Sequence, residues 1–399
     1  MNLTPLVPLL FLSAAATNYD ESKVGSYTLP DPLVFNDGSR VRTAPDWTNR
    51  RRAEILRLFE NNVYGHTPAA PAGLKAAVLE ADTPALHGTA MRRQVAIPLA
   101  PGVTAEMLLY LPAHAVKPVP VILNLNFDGN HTVINDPGIH LPTVWSRETG
   151  KSHRGLESER GSSSDYQIPR VLGHGFGFAT IYSQEIEPDF RGGKGLRAHF
   201  PKADWGAIGA WSYGLSRAMD YLEKDPAVDA KHVAIMGHSR LGKTALWGGA
   251  QDQRFAMVIA NCSGEGGASL SRRNYGETIA DLVRVFPYWF TPKYAEFAAD
   301  PGKLPVDAHE LIALSAPRPV YVTGAEDDQW ADPGGEFLAE AAAGPVYRLL
   351  GAQDLGTDQM PALNQPILHT LAFHYRTGKH EVTAYDWEQF LRFGDEHLR

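Results

Sequence analysis

The octapeptide GHSRLGKT, residues 237–244, carries the residues of two unrelated chemistries. Letter by letter it satisfies G-x-x-x-x-G-K-S/T, in which curled backbone N–H groups cradle a phosphate and Lys243 would reach its terminal oxygens. By position, Ser239 stands between an apolar strand-like run, residues 233–236, and a helix-like run, residues 242–250. That is where a serine hydrolase exposes its nucleophile. Context separates the two. None of the residues between the glycines, His238, Ser239, Arg240 and Leu241, is itself glycine, which leaves little backbone freedom for a phosphate nest. The next strand-like run, residues 257–260, leads into Asn261-Cys262-Ser263 and not into a magnesium-binding aspartate. Asp128 does follow a strand-like run, but upstream, which would need a permuted order. Ester chemistry is the better reading.

A serine hydroxyl is too weakly acidic to react unaided, so a histidine must take its proton while a carboxylate fixes the imidazole and stabilises the imidazolium. In α/β-hydrolases these follow in the order nucleophile, acid, histidine. The chain supplies Ser239, then a strand-like run at 320–323 followed by Gly324-Ala325-Glu326-Asp327-Asp328, then His380 within Gly378-Lys379-His380-Glu381. Asp332, beside Pro333, is better placed to cap the helix containing Phe337. Between Asp327 and Asp328 the strand alone does not decide. The elbow has one irregularity: the usual form is G-x-S-x-G, whereas here Leu241 holds the second position after the serine and Gly242 the third. Crowding there must be relieved in another way.

The elements that would position these residues follow from periodicity. Residues 46–64 read as a helix, and residues 76–79, 91–97 and 105–111 alternate as an antiparallel meander would. Nearly continuous apolar runs at 121–125, 176–182, 233–236, 257–260 and 320–323 suit strands of a parallel sheet buried on both faces. Helices are expected at 207–224, 242–250, 336–343 and 366–376, the last immediately before the segment of His380. Strand and helix alternate, which predicts a three-layer α/β sandwich with a mostly parallel central sheet and an antiparallel N-terminal β extension. Residues 126–173, long and polar, read as loops inserted over a site. Residues 18–399 are expected to form one domain.

Composition narrows the classes. A net charge of −8 argues against nucleic-acid binding, which draws on a basic excess. The only cysteine, Cys262, can form no intramolecular disulfide. An apolar run at residues 6–12 followed by Ser13-Ala14-Ala15-Ala16 resembles a signal peptide without a basic n-region, so residues 1–17 are read as a signal peptide or an N-terminal arm. A secreted or periplasmic protein is expected, with no segment apolar enough to span a membrane.

Four stretches, GHSRLGKTALWGGAQDQRFAMVIANCSGEGG, RRNYGETI, PRPVYVTGAEDDQWADP and TGKHEVTAYDW, closely resemble the glucuronoyl esterases of carbohydrate esterase family fifteen, especially the bacterial branch. The likeness extends forward to DWTNRRRAEILRLFENNVYGHTP, and the displaced glycine of the elbow is a trait of that family. The resemblance implies an α/β-hydrolase that cleaves esters between glucuronoyl or 4-O-methyl-glucuronoyl groups of xylan and lignin alcohols, as a monomer and without a cofactor or metal. It makes Ser239 the nucleophile, His380 the base and Arg240 the oxyanion residue, through its backbone N–H and side chain. Lys243, Glu277 and Trp330 match sugar-contacting positions, and Asp328-Gln329-Trp330 matches the D-x-W whose aspartate faces the histidine, so Asp328 is the expected acid with Asp327 in reserve. In fungal members the acid is a Glu in E-S-G-x-G-G; here that slot holds Cys262, and a neutral thiol cannot anchor an imidazolium.

Other residues have plainer readings. Lys243, Glu277 and Trp330 would otherwise be a surface lysine, a partner of Arg272 or Arg273, and a core indole. Asp128, His131 and Asp136 lack ligand spacing and read as loop-shaping. His238 is expected beneath the elbow, and His369 and His374 in structural roles. An acetyl xylan esterase is the nearest alternative activity, and a non-catalytic carbohydrate-binding relative the alternative of another class.

Overall fold

The computed structural model describes residues 17–116 and 118–399. The expected signal peptide or arm over residues 1–17 falls, but for Thr17, outside them. At the front, β1 (Ala77–Ala85), β2 (Ala90–Ala100) and β3 (Val103–Pro112) form the antiparallel meander that their alternation predicts. β3 then pairs antiparallel with β7 (Gly177–Tyr182). The remainder is parallel: β7 on β4 (Val119–Asn126), then β8 (Val228–His238), β9 (Met257–Asn261), β10 (Val320–Ala325) and β12 (Leu371–Arg376). The short β11 (Ile367–Leu368) closes that edge antiparallel, giving the order β1-β2-β3-β7-β4-β8-β9-β10-β12-β11. A separate hairpin, β5 (Thr143–Trp145) and β6 (Ser152–Arg154), stands in the inserted segment.

Both faces of the parallel strands are apolar, and alternate residues feed two cores. Val121, Leu123, Val233, Ile235, Val258 and Val322 face one; Ile122, Ala234, Met236, Ile259, Tyr321 and Ala372 face the other. The first core is covered by α2 (Arg52–Phe59), α5 (Ala207–Leu222), α6 (Arg240–Gln251), α8 (Ala308–Ala313) and α9 (Pro333–Leu349). α3 (Ile168–Gly173) and α10 (Ala384–His397) cover the second through Ile168, Val171, Trp387, Phe390 and Phe393. This is the three-layer sandwich. The short helices α1 (Ala44–Asp46), α4 (Ser183–Ile186) and α7 (Ile279–Val285) complete the set. α1 and α2 are joined, and α2 is continued, by π-helical turns at Trp47–Arg51 and Glu60–Tyr64, so residues 44–64 make one helical stretch.

One expected helix is a correction. Residues 366–376 are β11 and β12, and His380 therefore follows a strand. Ile367, Leu368, Leu371, Ala372 and Tyr375 are spaced as a helix would space them, but β12 pairs with β10 along six residues and buries both faces, which settles the ambiguity of a short apolar run. The helix that does cover this end, α10, begins with a capping box in which Thr383 and Asp386 exchange hydrogen bonds.

The chain leaves β4 for β7 on one side and returns to β8 on the other. At such a switch point the carboxyl ends of the strands open into a crevice. Ser239 follows β8 there, and Phe127 follows β4.

Candidate active site

β8 ends at His238 and α6 begins at Arg240, so Ser239 alone makes the turn, at φ 57 and ψ −130. Such a backbone is strained for a residue with a Cβ and persists only where its surroundings enforce it. Here Ser239 N–H donates to Asn261 O at 2.9 Å, and Ser239 O accepts from Gly242 N–H at 2.8 Å. The displaced glycine now has a reason. A Cβ on Gly237 would lie 1.9 Å from Leu241 O, so the close approach falls on the glycine before the serine. Gly242 sits within α6, where a Cβ would come 3.0 Å from Ser263 Cβ. One residue between strand and helix leaves no loop to wrap a phosphate, which disposes of the nucleotide reading.

His380 and Ser239 line one cleft, with Arg240, Lys243, Glu277 and Trp330. His380 Nδ1–H donates to Asp328 Oδ2 at 2.6 Å, leaving Nε2 as the acceptor. Asp328 is buried at the end of β10, whereas Asp327 is exposed and its N–H donates to Gly378 O. Asp332 caps α9 by accepting from Gly335 N–H and pairs with Arg273 at 2.9 Å, so it serves the helix. Among the described residues Ser239 Oγ makes no hydrogen bond to His380.

Cys262, Asp328 and His380 place their donor atoms within 4.8 Å of one another. Burial, helped by Glu336, pushes the Cys262 thiol well above its ordinary range. The direct hydrogen bond between Asp328 and His380 makes the trio an acid–histidine pair with the thiol beside it. His238 is buried as expected, its Nδ1 2.7 Å from Asn261 Oδ1 and its ring centred 4.5 Å from that of His380. Burial and the neighbouring His380 lower its pKa to about 3, so it stays uncharged.

Arg240 is the first residue of α6, and its backbone N–H belongs to the unpaired first turn of the helix, where developing negative charge is favoured. Its guanidinium lies over the Phe127 ring at 4.4 Å, and Nε is 2.6 Å from Asp189 Oδ2 in an ion pair without hydrogen-bond alignment. Among the described residues its terminal nitrogens donate to no protein acceptor. On α6, Lys243 Nζ donates to Ser263 O at 2.5 Å and lies 3.5 Å from Glu277 Oε2. Burial raises the Glu277 pKa and Lys243 opposes the rise. Arg272 pairs instead with Asp307, and Arg273 with Asp332 and Glu21, so Glu277 is not their partner. Trp330 is 40 % exposed and is not a core indole.

The inserted segment is pinned by the residues read as loop-shaping. Asp136 accepts from Arg92 at 2.6 Å and Tyr110 at 2.5 Å, and His131 pairs with Glu159. Two residues escaped the sequence reading. Arg376 donates to the carbonyls of Thr377, Lys379 and Glu381 and pairs with Asp386, holding the loop on either side of His380. A charged residue closing an apolar run, one whose spacing reads as a helix, was its only signal. Asp189, in a polar loop after α4, gave none. His374 is structural as expected, bonded to Asp386 and Tyr321, though on a strand. His369 lies beside β11 with Nδ1 2.8 Å from Asp354 O.

The chain as a whole is similar to known proteins. A family model described as glucuronyl esterase, fungi, matches residues 189–351. A carbohydrate esterase from an unknown prokaryotic organism is 44% identical over 98% of this chain and 94% of its own length. A glucuronoyl esterase from Solibacter usitatus superposes with a TM-score of 0.92 at 47% identity, covering 95% of this chain and 100% of that one. A family fifteen esterase from a marine bacterial metagenome, described as promiscuous, gives 0.88 at 43% identity over 96% of this chain and 100% of its own.

Proposed function

The chain belongs to the glucuronoyl esterases of carbohydrate esterase family fifteen, and from that premise we propose that it hydrolyses the ester joining a glucuronoyl or 4-O-methyl-glucuronoyl group to an alcohol. One observation carries the reading: the pair of buried Lys243 and half-buried Glu277 opens on the same cleft as the strained Ser239 elbow, with the exposed Trp330 ring beside it. An esterase for acetyl groups alone would have no use for such a seat. Lys243 donates to sugar oxygens, Glu277 accepts from hydroxyls, and Trp330 offers a flat apolar wall to a pyranose face.

In this reading the substrate closes the gap between Ser239 and His380, as catalytic hydrogen bonds often tighten only in the bound complex. Ser239 Oγ attacks the uronate carbonyl while His380 Nε2 takes its proton, and Asp328 stabilises the imidazolium. The Arg240 backbone N–H and guanidinium receive the oxyanion; such a donor is worth about 3 kcal/mol in a site closed to water. Collapse expels the alcohol, which takes the proton from His380. Water, activated by the same histidine, then attacks the acyl-enzyme and releases the glucuronate and Ser239. A polymeric xylan–lignin substrate would place the enzyme outside the cytoplasm; among the described residues no helix is long and apolar enough to cross a membrane.

The test compares kcat/KM for benzyl glucuronate and for a small acetyl ester. Lys243→Ala and Glu277→Ala are expected to lower the first at least tenfold more than the second, since each removes a contact that only the sugar makes. Equal losses on both substrates would show that the pair is structural, and acetate release as the main activity would favour an acetyl esterase.

A further inference from the structure

We propose that Asp189 is a positioning residue for the oxyanion site, acting through the guanidinium of Arg240; the inference rests on the role of Arg240 given above. Asp189 is buried in the loop after α4, and polar groups from three segments converge on its carboxylate. Oδ1 accepts from Trp289 Nε1 at 2.6 Å and from the Tyr288 hydroxyl at 3.1 Å. Oδ2 lies 2.6 Å from Arg240 Nε and 3.5 Å from Arg147 Nε. The one Tyr288 O–H is shared between Oδ1 and Asp189 O at 3.0 Å, which ties the backbone to the same aromatic segment.

These contacts fix Arg240 on two sides. The Asp189 carboxylate occupies the Nε side, and the Phe127 ring covers a face of the guanidinium at 4.4 Å. Among the described residues the terminal nitrogens stay uncommitted, so the charge is arranged without consuming the donors that an oxyanion needs. Arg147, whose guanidinium lies over the Phe286 ring at 4.3 Å, is the second cation on the same carboxylate. Two guanidiniums facing one carboxylate leave this cluster with a positive balance beside Arg240. Without Asp189, the guanidinium would lose the contact that orients it and would face Arg147 unscreened. Preorganised charge of this kind acts on the transition state and not on substrate binding, so its loss belongs in kcat.

The experiment is a double-mutant cycle read in kcat and KM on both benzyl glucuronate and a small acetyl ester. Asp189→Asn keeps an acceptor for Trp289 and Tyr288 but removes the charge. It is expected to lower kcat roughly tenfold to a hundredfold on both esters, with KM nearly unchanged, because the oxyanion is common to them. In an Arg240→Ala background the same substitution should cost almost nothing further. A full multiplicative loss in that background would overturn the proposal, since Asp189 would then act elsewhere. So would a folded Asp189→Asn enzyme with unchanged kcat. If Arg240→Ala itself costs nothing, the oxyanion reading fails and Asp189 falls with it, an outcome distinct from the other two. Should Asp189→Asn not fold, Tyr288→Phe removes one donor to the carboxylate. It is expected to lower kcat severalfold in the parent and not in Arg240→Ala, and an unchanged kcat in the parent would count against the proposal.

Discussion

Asp328 and Cys262 both come within reach of His380, yet only one of them can hold a charge there. The Cys262 thiol is pushed well above its ordinary range by burial, while Asp328 accepts directly from His380 Nδ1–H. Asp328→Asn is therefore expected to lower kcat about 10³- to 10⁴-fold by favouring the wrong imidazole tautomer, and Cys262→Ala to change it little. Introducing Cys262→Glu into the Asp328→Asn enzyme should restore part of the loss, because the Cys262 sulfur already lies within 4.8 Å of the histidine nitrogen. A dead Cys262→Ala enzyme beside an active Asp328→Asn would reverse the assignment. At this scale the sequence was informative because chain order and the D-x-W stretch named the partners. It was silent on Asp189, whose importance comes only from the groups that the fold gathers around it.

The loop that carries His380 is short and exposed, and it is held from below by one side chain. Arg376, at the end of β12, donates to three carbonyls of residues 377–381 while Asp386 at the start of α10 neutralises it. Arg376→Ala leaves the buried Asp386 without its cation, a change that typically costs about 3 to 5 kcal/mol. Urea unfolding should show that loss. The folded fraction should also turn over more slowly, since His380 is no longer held in place, and Arg376→Lys should fall between the two. Lost stability with unchanged kcat per folded molecule would make Arg376 structural only. This junction is also where helix and strand were confused. Leu371, Ala372 and Tyr375 satisfy a helical spacing, and only pairing with β10 makes them a strand. α10 was not expected, and its sequence signal, the capping-box pair Thr383 and Asp386, went unread. By contrast β4, β8 and β10 were legible as short apolar runs rich in β-branched residues.

At the scale of the whole molecule, several buried carboxyl groups form no ion pair among the described residues. Glu265, which accepts from Ser271 and Tyr294 hydroxyls at 2.6 Å, is pushed up by burial to about 8, and Glu185 to about 7. An acid whose folded pKa is raised contributes stability that is fully present below its unfolded value, near 4.3, and is lost as pH rises through the folded value. The parent protein is thus expected to lose Tm relative to Glu265→Gln as pH rises from about 5 to 8.5. A difference in Tm that stays constant across that range would show Glu265 to be ionised throughout. These groups govern how long the scaffold lasts; the nucleophilic role proposed for Ser239 is read in turnover. The most direct check on the enzyme described here is kcat/KM for benzyl glucuronate in the parent and in Ser239→Ala. The expected result is efficient hydrolysis by the parent and a loss of roughly 10⁴-fold or more in a variant that remains folded. A folded Ser239→Ala protein keeping more than about a hundredth of the parent rate would contradict the acyl-enzyme mechanism at its first step.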